Sequence, residues 1–144
     1  MLQLLVVTPT QLCKCCLRDM YKRGSGKILN VASVGAFQPG PYTASYYASK
    51  SYLYQYSQAI RLEAKKQGVQ VCTLCPGSTR THFFEKTGAK TPILGNVAGA
   101  RCKEAWEGLN ADKAVVVPGM INRLLRLVPA QIKAYGVALL KKHT

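Results

Sequence analysis

Residues 33–50, SVGAFQPGPYTASYYASK, decide how the rest of the chain reads. The stretch opens on Ser33, passes through a loop rich in Gly and Pro, and reaches Tyr46 and Lys50, four residues apart at the start of a helix and so on one face of it. A hydroxyl, a phenol and an ammonium within reach of one point are equipment for proton transfer.

The flanking sequence gives that stretch a scaffold. KILNVAS (27–33) is a short apolar and β-branched run, the pattern of a strand buried on both faces, and its end delivers Ser33 into the loop. A long helix is predicted over residues 43–66, with Leu53, Tyr56, Ile60 and Ala64 as its buried stripe. Gly68 ends it, VQVCTLCPG (69–77) is the next strand, and Pro76-Gly77 turns the chain sharply at the carboxyl end. Strand, helix and strand with short joints make the βαβ unit of a parallel sheet.

Upstream, residues 4–22 place Leu5, Leu12, Cys16 and Met20 near helical spacing, with Pro9 tolerable only in the first turn or as a kink and Gly24-Ser25-Gly26 as the stop. Downstream, residues 78–96 read as a mobile flap over the strand ends, where open parallel sheets bind ligands. A helix over 97–109 is predicted to bury Val97, Ala105, Leu109 and Trp106, and AVVVPG (114–119) forms a third strand stopped by Pro118. The fold class is therefore α/β: a partial Rossmann, doubly wound fold of about three parallel strands with flanking helices. One domain spans 1–144, with 1–117 as core and 118–144 as a basic amphipathic tail that Pro129 splits into two short helices.

Composition sets bounds on function. At 144 residues the chain is one domain by length and large enough to bury a core. No apolar run approaches the roughly 18 residues of a membrane span. The start, MLQLLVVTPTQLCKCC, lacks the basic region and small-residue cleavage site of a secretory signal, which points to a cytoplasmic location. Twenty Lys and Arg against six Asp and Glu leave a formal charge of +14, a balance that favours anionic partners. The densest basic group is Lys14, Arg18, Lys22, Arg23 and Lys27; with no reading motif beside it, it is a solvated helix face and no nucleic acid is expected. The basic tail suits packing on its own domain or on a sister subunit, and also peripheral contact with an anionic membrane. Cys72 and Cys75 lie three apart on a strand and point to opposite faces, so no metal site is expected and the six cysteines read as free thiols.

With ILNVAS ending at Ser33, YYASK giving Tyr46-x-x-x-Lys50, and CPGSTRT carrying Pro76, Gly77 and Thr81, the chain resembles the short-chain dehydrogenase/reductase family over nearly its whole length. A lone YxxxK is common by chance, but a Ser thirteen residues before the Tyr and a Pro-Gly thirty after it make the combination specific. The resemblance implies hydride transfer between NAD or NADP and a small carbonyl or alcohol substrate. It implies Tyr46 as acid/base, Lys50 as tuning charge and cofactor grip, and Ser33 as holder of the substrate oxygen. Pro76, Gly77 and Thr81 join Tyr46 and Lys50 as cofactor contacts, Gly77 because the absence of a Cβ lets the nicotinamide come close. It also implies subunit contact through the helices over 4–22 and 43–66, hence a homo-oligomer or a complex with a relative.

Two departures follow. The helix asparagine of the family's proton relay falls at Leu5, which has no polar atom, and Asn30 lies on the strand beneath Ser33 rather than on the neighbouring helix. No G-x-G-x-x-G follows a strand and opens a helix, so the pyrophosphate-cradling half is missing and the chain reads as a truncated, carboxyl-terminal catalytic half. The expectations are an exposed edge on the first strand, weak or no turnover by the isolated chain, and, as the alternative, a non-catalytic interaction module.

Overall fold

The structure, a computed structural model, describes residues 1–77, 79–80 and 96–141. In chain order the strands are β1 (Gly26–Val31), β2 (Val69–Leu74), β3 (Thr79–Arg80), β4 (Asn96–Val97) and β5 (Val115–Val116). The helices are α1 (Thr8–Arg23), α2 (Ala44–Lys65), α3 (Ala98–Asn110), α4 (Met120–Leu125) and α5 (Ala130–Lys141). β1, β2 and β5 form one parallel sheet in that order, with β1 and β2 in register from Gly26↔Val69 to Val31↔Leu74. This is the α/β, Rossmann-like arrangement that the sequence predicts. β3 and β4 make a separate two-residue parallel pair; the rest of the expected flap lies outside the described residues.

α1 and α2 cover one face of the sheet, where Cys13, Leu17, Ile60 and Ala64 meet Val69 and Val71. α3 covers the other, with Ala105 and Leu109 against Cys72, Leu74 and Val116. Of the stripe expected on the first helix, Leu5 is half-buried and Met20 packs on the core, but the middle is out of phase: Leu12 is 59% exposed and Cys16 exposed, while Cys13 and Leu17 are buried. The cause is a π-helical turn at Gln3–Val7, whose extra residue rotates all that follows by about 100°. Pro9 stands in the first turn of α1, where its missing N–H is tolerated, and the flanking hydroxyls bond back into the turn before it: Thr8 Oγ1 donates to the Gln3 carbonyl at 2.9 Å and Thr10 Oγ1 to that of Val6 at 2.7 Å. Lys14, Arg18 and Lys22 form an exposed face.

On α2, Leu53, Ile60 and Ala64 are buried as expected and Tyr56 is half-buried; Ser49 and Ser57 complete the stripe. Ser57 is fully enclosed and its hydroxyl is satisfied there: Asn30 Nδ2 donates to its Oγ at 2.8 Å, a polar pair that keys β1 to α2. Two further expectations are corrected. β1 is not buried on both faces: it is an edge of the three-stranded sheet, its Leu29 packs against the α3 side, and Val31 is 49% exposed. Trp106 is 63% exposed, since it stands one residue round the helix from Ala105, which faces the sheet. Val97 is described only as backbone, in β4, so the burial expected of its side chain lies outside what the structure describes.

The third strand is short, pairing only Val115 and Val116 with β2 before the buried Val117 and Pro118. Pro129 separates α4 from α5. Among the described residues no helix is long and apolar enough to cross a membrane, and no group of three or more His, Cys, Asp or Glu is placed to hold a metal.

All six cysteines are free; Cys13, Cys72 and Cys75 are buried, with Cys72 and Cys75 in different clusters, and Cys15, Cys16 and Cys102 are exposed. Burial raises the pKa of the three inner thiols, that of Cys75 to about 12. A disulfide reagent at neutral pH is therefore expected to titrate three thiols rapidly and three only on unfolding; a fourth fast thiol would contradict the packing. The unfolded Cys75 thiol ionises near 9.0 and the folded one near 12, so the folded state binds more protons between those values. Stability should fall as pH rises through that window, and Cys75→Ala should flatten the fall in an alkaline melting series. Asn30→Ala, which leaves Ser57 without its donor, should cost about 1–3 kcal/mol by urea denaturation.

Candidate active site

The ladder between β1 and β2 does not stop where the strands do. Ala32 N–H donates to the Leu74 carbonyl at 2.8 Å and Val34 N–H to the Pro76 carbonyl at 3.0 Å, so Ser33 is held between two backbone bonds beside the Pro76-Gly77 turn. Ser33 is extended and caps a single 3-10 turn, Val34–Phe37, its Oγ accepting the Gly35 N–H at 3.1 Å.

The loop then doubles back, with Tyr42 in the left-handed region at φ 64, and α2 brings Tyr46 and Lys50 onto one face. Lys50 Nζ lies 5.9 Å from the centre of the Tyr46 ring and donates to the Val31 carbonyl, the last of β1, at 2.9 Å. Burial lowers the Lys50 pKa, and the neighbouring Cys75 acts in the opposite sense. Tyr47, its own pKa raised by burial, fills the bend: a Cβ on Gly40 would fall within 2.1–2.5 Å of its ring, so the loop closes over it only with glycine there.

Ser33, Tyr46, Lys50, Pro76 and Gly77 line one cavity of about 440 Å³, together with Gln38 and Tyr47. Of the site residues predicted from sequence, Thr81 lies outside the described residues. Leu5 sits half-buried in the π-helical turn and Asn30 is tied to Ser57 below the cavity, so neither brings a polar group to it.

Two side chains that the sequence reading did not single out hold the Pro76-Gly77 turn. Arg101 of α3, 4% exposed, donates through Nη1 to the Gly77 carbonyl. Asn122 of α4 donates to the Pro118 carbonyl at 2.7 Å and fills the space beside Gly77, where a Cβ would come within 2.6–2.9 Å of its amide. Packing inside the chain therefore already favours glycine at 77, since a Cβ there would displace the Asn122 amide, independently of any cofactor. Neither residue is adjacent to the turn in sequence, and no local motif marks them.

The profile of the short chain dehydrogenase family matches residues 1–92. The chain belongs to that family. Its curated relatives include a 3-ketodihydrosphingosine reductase of Bacteroides thetaiotaomicron, 39% identical over 74 residues, covering 51% of this chain and 28% of the relative. Dehydrogenase/reductase SDR family member 4 of Sus scrofa is 28% identical over 129 residues, covering 77% of this chain and 46% of the relative. Among solved structures, a short-chain dehydrogenase from Sphingobium yanoikuyae in complex with NADPH superposes with a TM-score of 0.75 at 25% identity, over 96% of this chain and 53% of that one. A 7beta-hydroxysteroid dehydrogenase shares the fold with a TM-score of 0.83 at 20% identity, over 96% and 56% of the two chains. The chain thus spans about half the length of these structures and less than half of these relatives.

Gly77→Ala is expected to dislodge the Asn122 amide and its bond to Pro118, costing on the order of 1 kcal/mol. Asn122→Ala in the same chain should recover most of the van der Waals part of that loss. A double-mutant cycle with no coupling between the two positions would contradict the contact.

Proposed function

We propose that the chain carries the proton-handling, nicotinamide-end site of a short-chain oxidoreductase acting on a carbonyl or alcohol, with Tyr46 as its acid/base. The observation that supports this is the convergence of Ser33, Tyr46, Lys50 and the Pro76-Gly77 turn on one cavity. Those residues fit the nicotinamide riboside end of NAD or NADP. Lys50 uses one of its three ammonium donors on the Val31 carbonyl, which leaves others for ribose hydroxyls. Ser33 Oγ accepts from Gly35, which leaves its O–H to donate to a substrate oxygen. When bound, a reduced nicotinamide supplies the hydride.

In the reductive direction Ser33 orients the carbonyl oxygen and Tyr46 gives it a proton. The Lys50 ammonium stands 5.9 Å from the centre of the Tyr46 ring, close enough to hold the ribose beside the reacting phenol. No G-x-G-x-x-G in these 144 residues offers a phosphate cradle, and phosphates and adenosine supply much of a dinucleotide's binding energy. The chain alone therefore holds the cofactor weakly and turns over slowly.

With NADPH in millimolar excess and a panel of ketones, slow reduction is expected, falling about 10²–10⁴-fold in Tyr46→Phe. A rate that Tyr46→Phe leaves unchanged would remove the tyrosine from the chemistry. A second reading, an interaction module that pairs with a family member, is favoured by the exposed Leu4, Leu12, Tyr52 and Leu62 on the first helix and α2. Absence of reduction together with co-elution of the chain and an intact relative on size-exclusion chromatography would select that reading.

A further inference from the structure

A second cleft, of about 270 Å³, adjoins the cavity that holds Tyr46. One wall is Val34 and Phe37 of the 3-10 turn; the other is Leu125, Gly136 and Val137 of the tail. Val34 and Gln38 line both spaces, so a molecule seated at Ser33 and Tyr46 has this cleft as its neighbour.

The two cations at its border are engaged elsewhere. The Arg126 guanidinium lies 5.0 Å over the Phe37 ring and reaches the Tyr54 hydroxyl at 3.3 Å, and Phe37 and Tyr54 meet edge to face at 5.1 Å. Lys133 Nζ donates to the Phe37 carbonyl at 3.2 Å. These contacts hold the tail as a wall and draw both charges toward the protein body, while Val34, Phe37, Leu125 and Val137 present hydrocarbon to the space between. Among the described residues no acidic side chain lines it.

Resting on the function proposed above, we propose that this cleft receives the hydrocarbon portion of an elongated, apolar carbonyl compound, whose carbonyl sits at Ser33 and Tyr46 and whose chain runs between Val34 and Val137. A short or strongly polar substrate would leave the apolar walls in contact with water; a long alkyl chain removes them from it.

Gly136 provides the test. Beyond its chain neighbours and its own helix backbone, no atom of the described residues lies within 4 Å of the position its Cβ would take, so a side chain added to this cleft-lining position meets open space rather than core, and leucine also suits a helix better than glycine does. The 144-residue chain, without cofactor, is titrated with 2-butanone, 2-hexanone and 2-octanone while its methyl resonances are followed by NMR. Affinity should rise roughly fifteenfold for each two methylenes added, as expected for burial of hydrocarbon. Gly136→Leu, with circular dichroism like that of the parent, should lose at least tenfold of the 2-octanone affinity and leave 2-butanone unchanged. Should Gly136→Leu fail to keep its helical spectrum, Leu125→Gln reads the same wall. Equal affinity along the series, or 2-octanone binding that neither variant weakens, would overturn the proposal. Tyr46→Phe should retain the length dependence. Length-dependent binding without any turnover would thus sink the catalytic reading and spare the cleft, whereas turnover with no length preference would do the reverse.

Discussion

The bond from Val34 N–H to the Pro76 carbonyl is the constraint on which the rest of the site depends. It carries the β1–β2 ladder past the ends of both strands and makes two separate loops into one surface. Its net energy is only about 1 kcal/mol, but its geometric effect is large. Register in a parallel sheet comes in steps of two residues, so a slip would move Ser33 against Gly77 by roughly 7 Å and empty the cavity of one partner or the other. Because Lys50 takes the carbonyl of Val31 on the same strand, that register also fixes where the helix face bearing Tyr46 meets the serine.

Much of this was legible before the fold was known, for reasons of locality. Tyr46 and Lys50 share a helix face by spacing alone, and the strand ends at Ser33 and Pro76-Gly77 are marked by β-branched runs that stop at turn residues. The first helix misled because a period of 3.6 assumes no interruption, and the π-helical turn before Pro9 shifts the phase, exposing Leu12 and burying Cys13. Arg101 and Asn122 were not legible at all. Their roles at Gly77 exist only once α3 and α4 are folded over the turn, and nothing in their immediate sequence distinguishes them from a surface arginine and a helix asparagine.

The large positive charge also takes on a different meaning in the fold. With six acidic residues in the chain, several cations bind backbone carbonyls, some of them beside a carboxylate, as Arg123 does with Glu104. Lys50 binds the carbonyl of Val31, Arg101 that of Gly77, Arg123 that of Val117 and Lys133 that of Phe37. Most of these carbonyls lie at or just beyond the carboxyl ends of strands, where the ladder leaves acceptors without amide donors. Arg61 does the same for Val71 while pairing with Asp112, whose carboxyl it holds below the usual range. Part of the basic excess thus closes off strand ends around the cavity, and only the remainder is available to anions.

On the function proposed above, this chain holds the nicotinamide end of a dinucleotide and little else of it. Saturation-transfer NMR of NADPH in the presence of the chain tests that claim most directly. The nicotinamide protons and those of the adjoining ribose should take up markedly more saturation than the adenine protons, and Lys50→Met should abolish the difference. Adenine protons saturated as strongly as the nicotinamide, or no transfer to either end at millimolar cofactor, would contradict it.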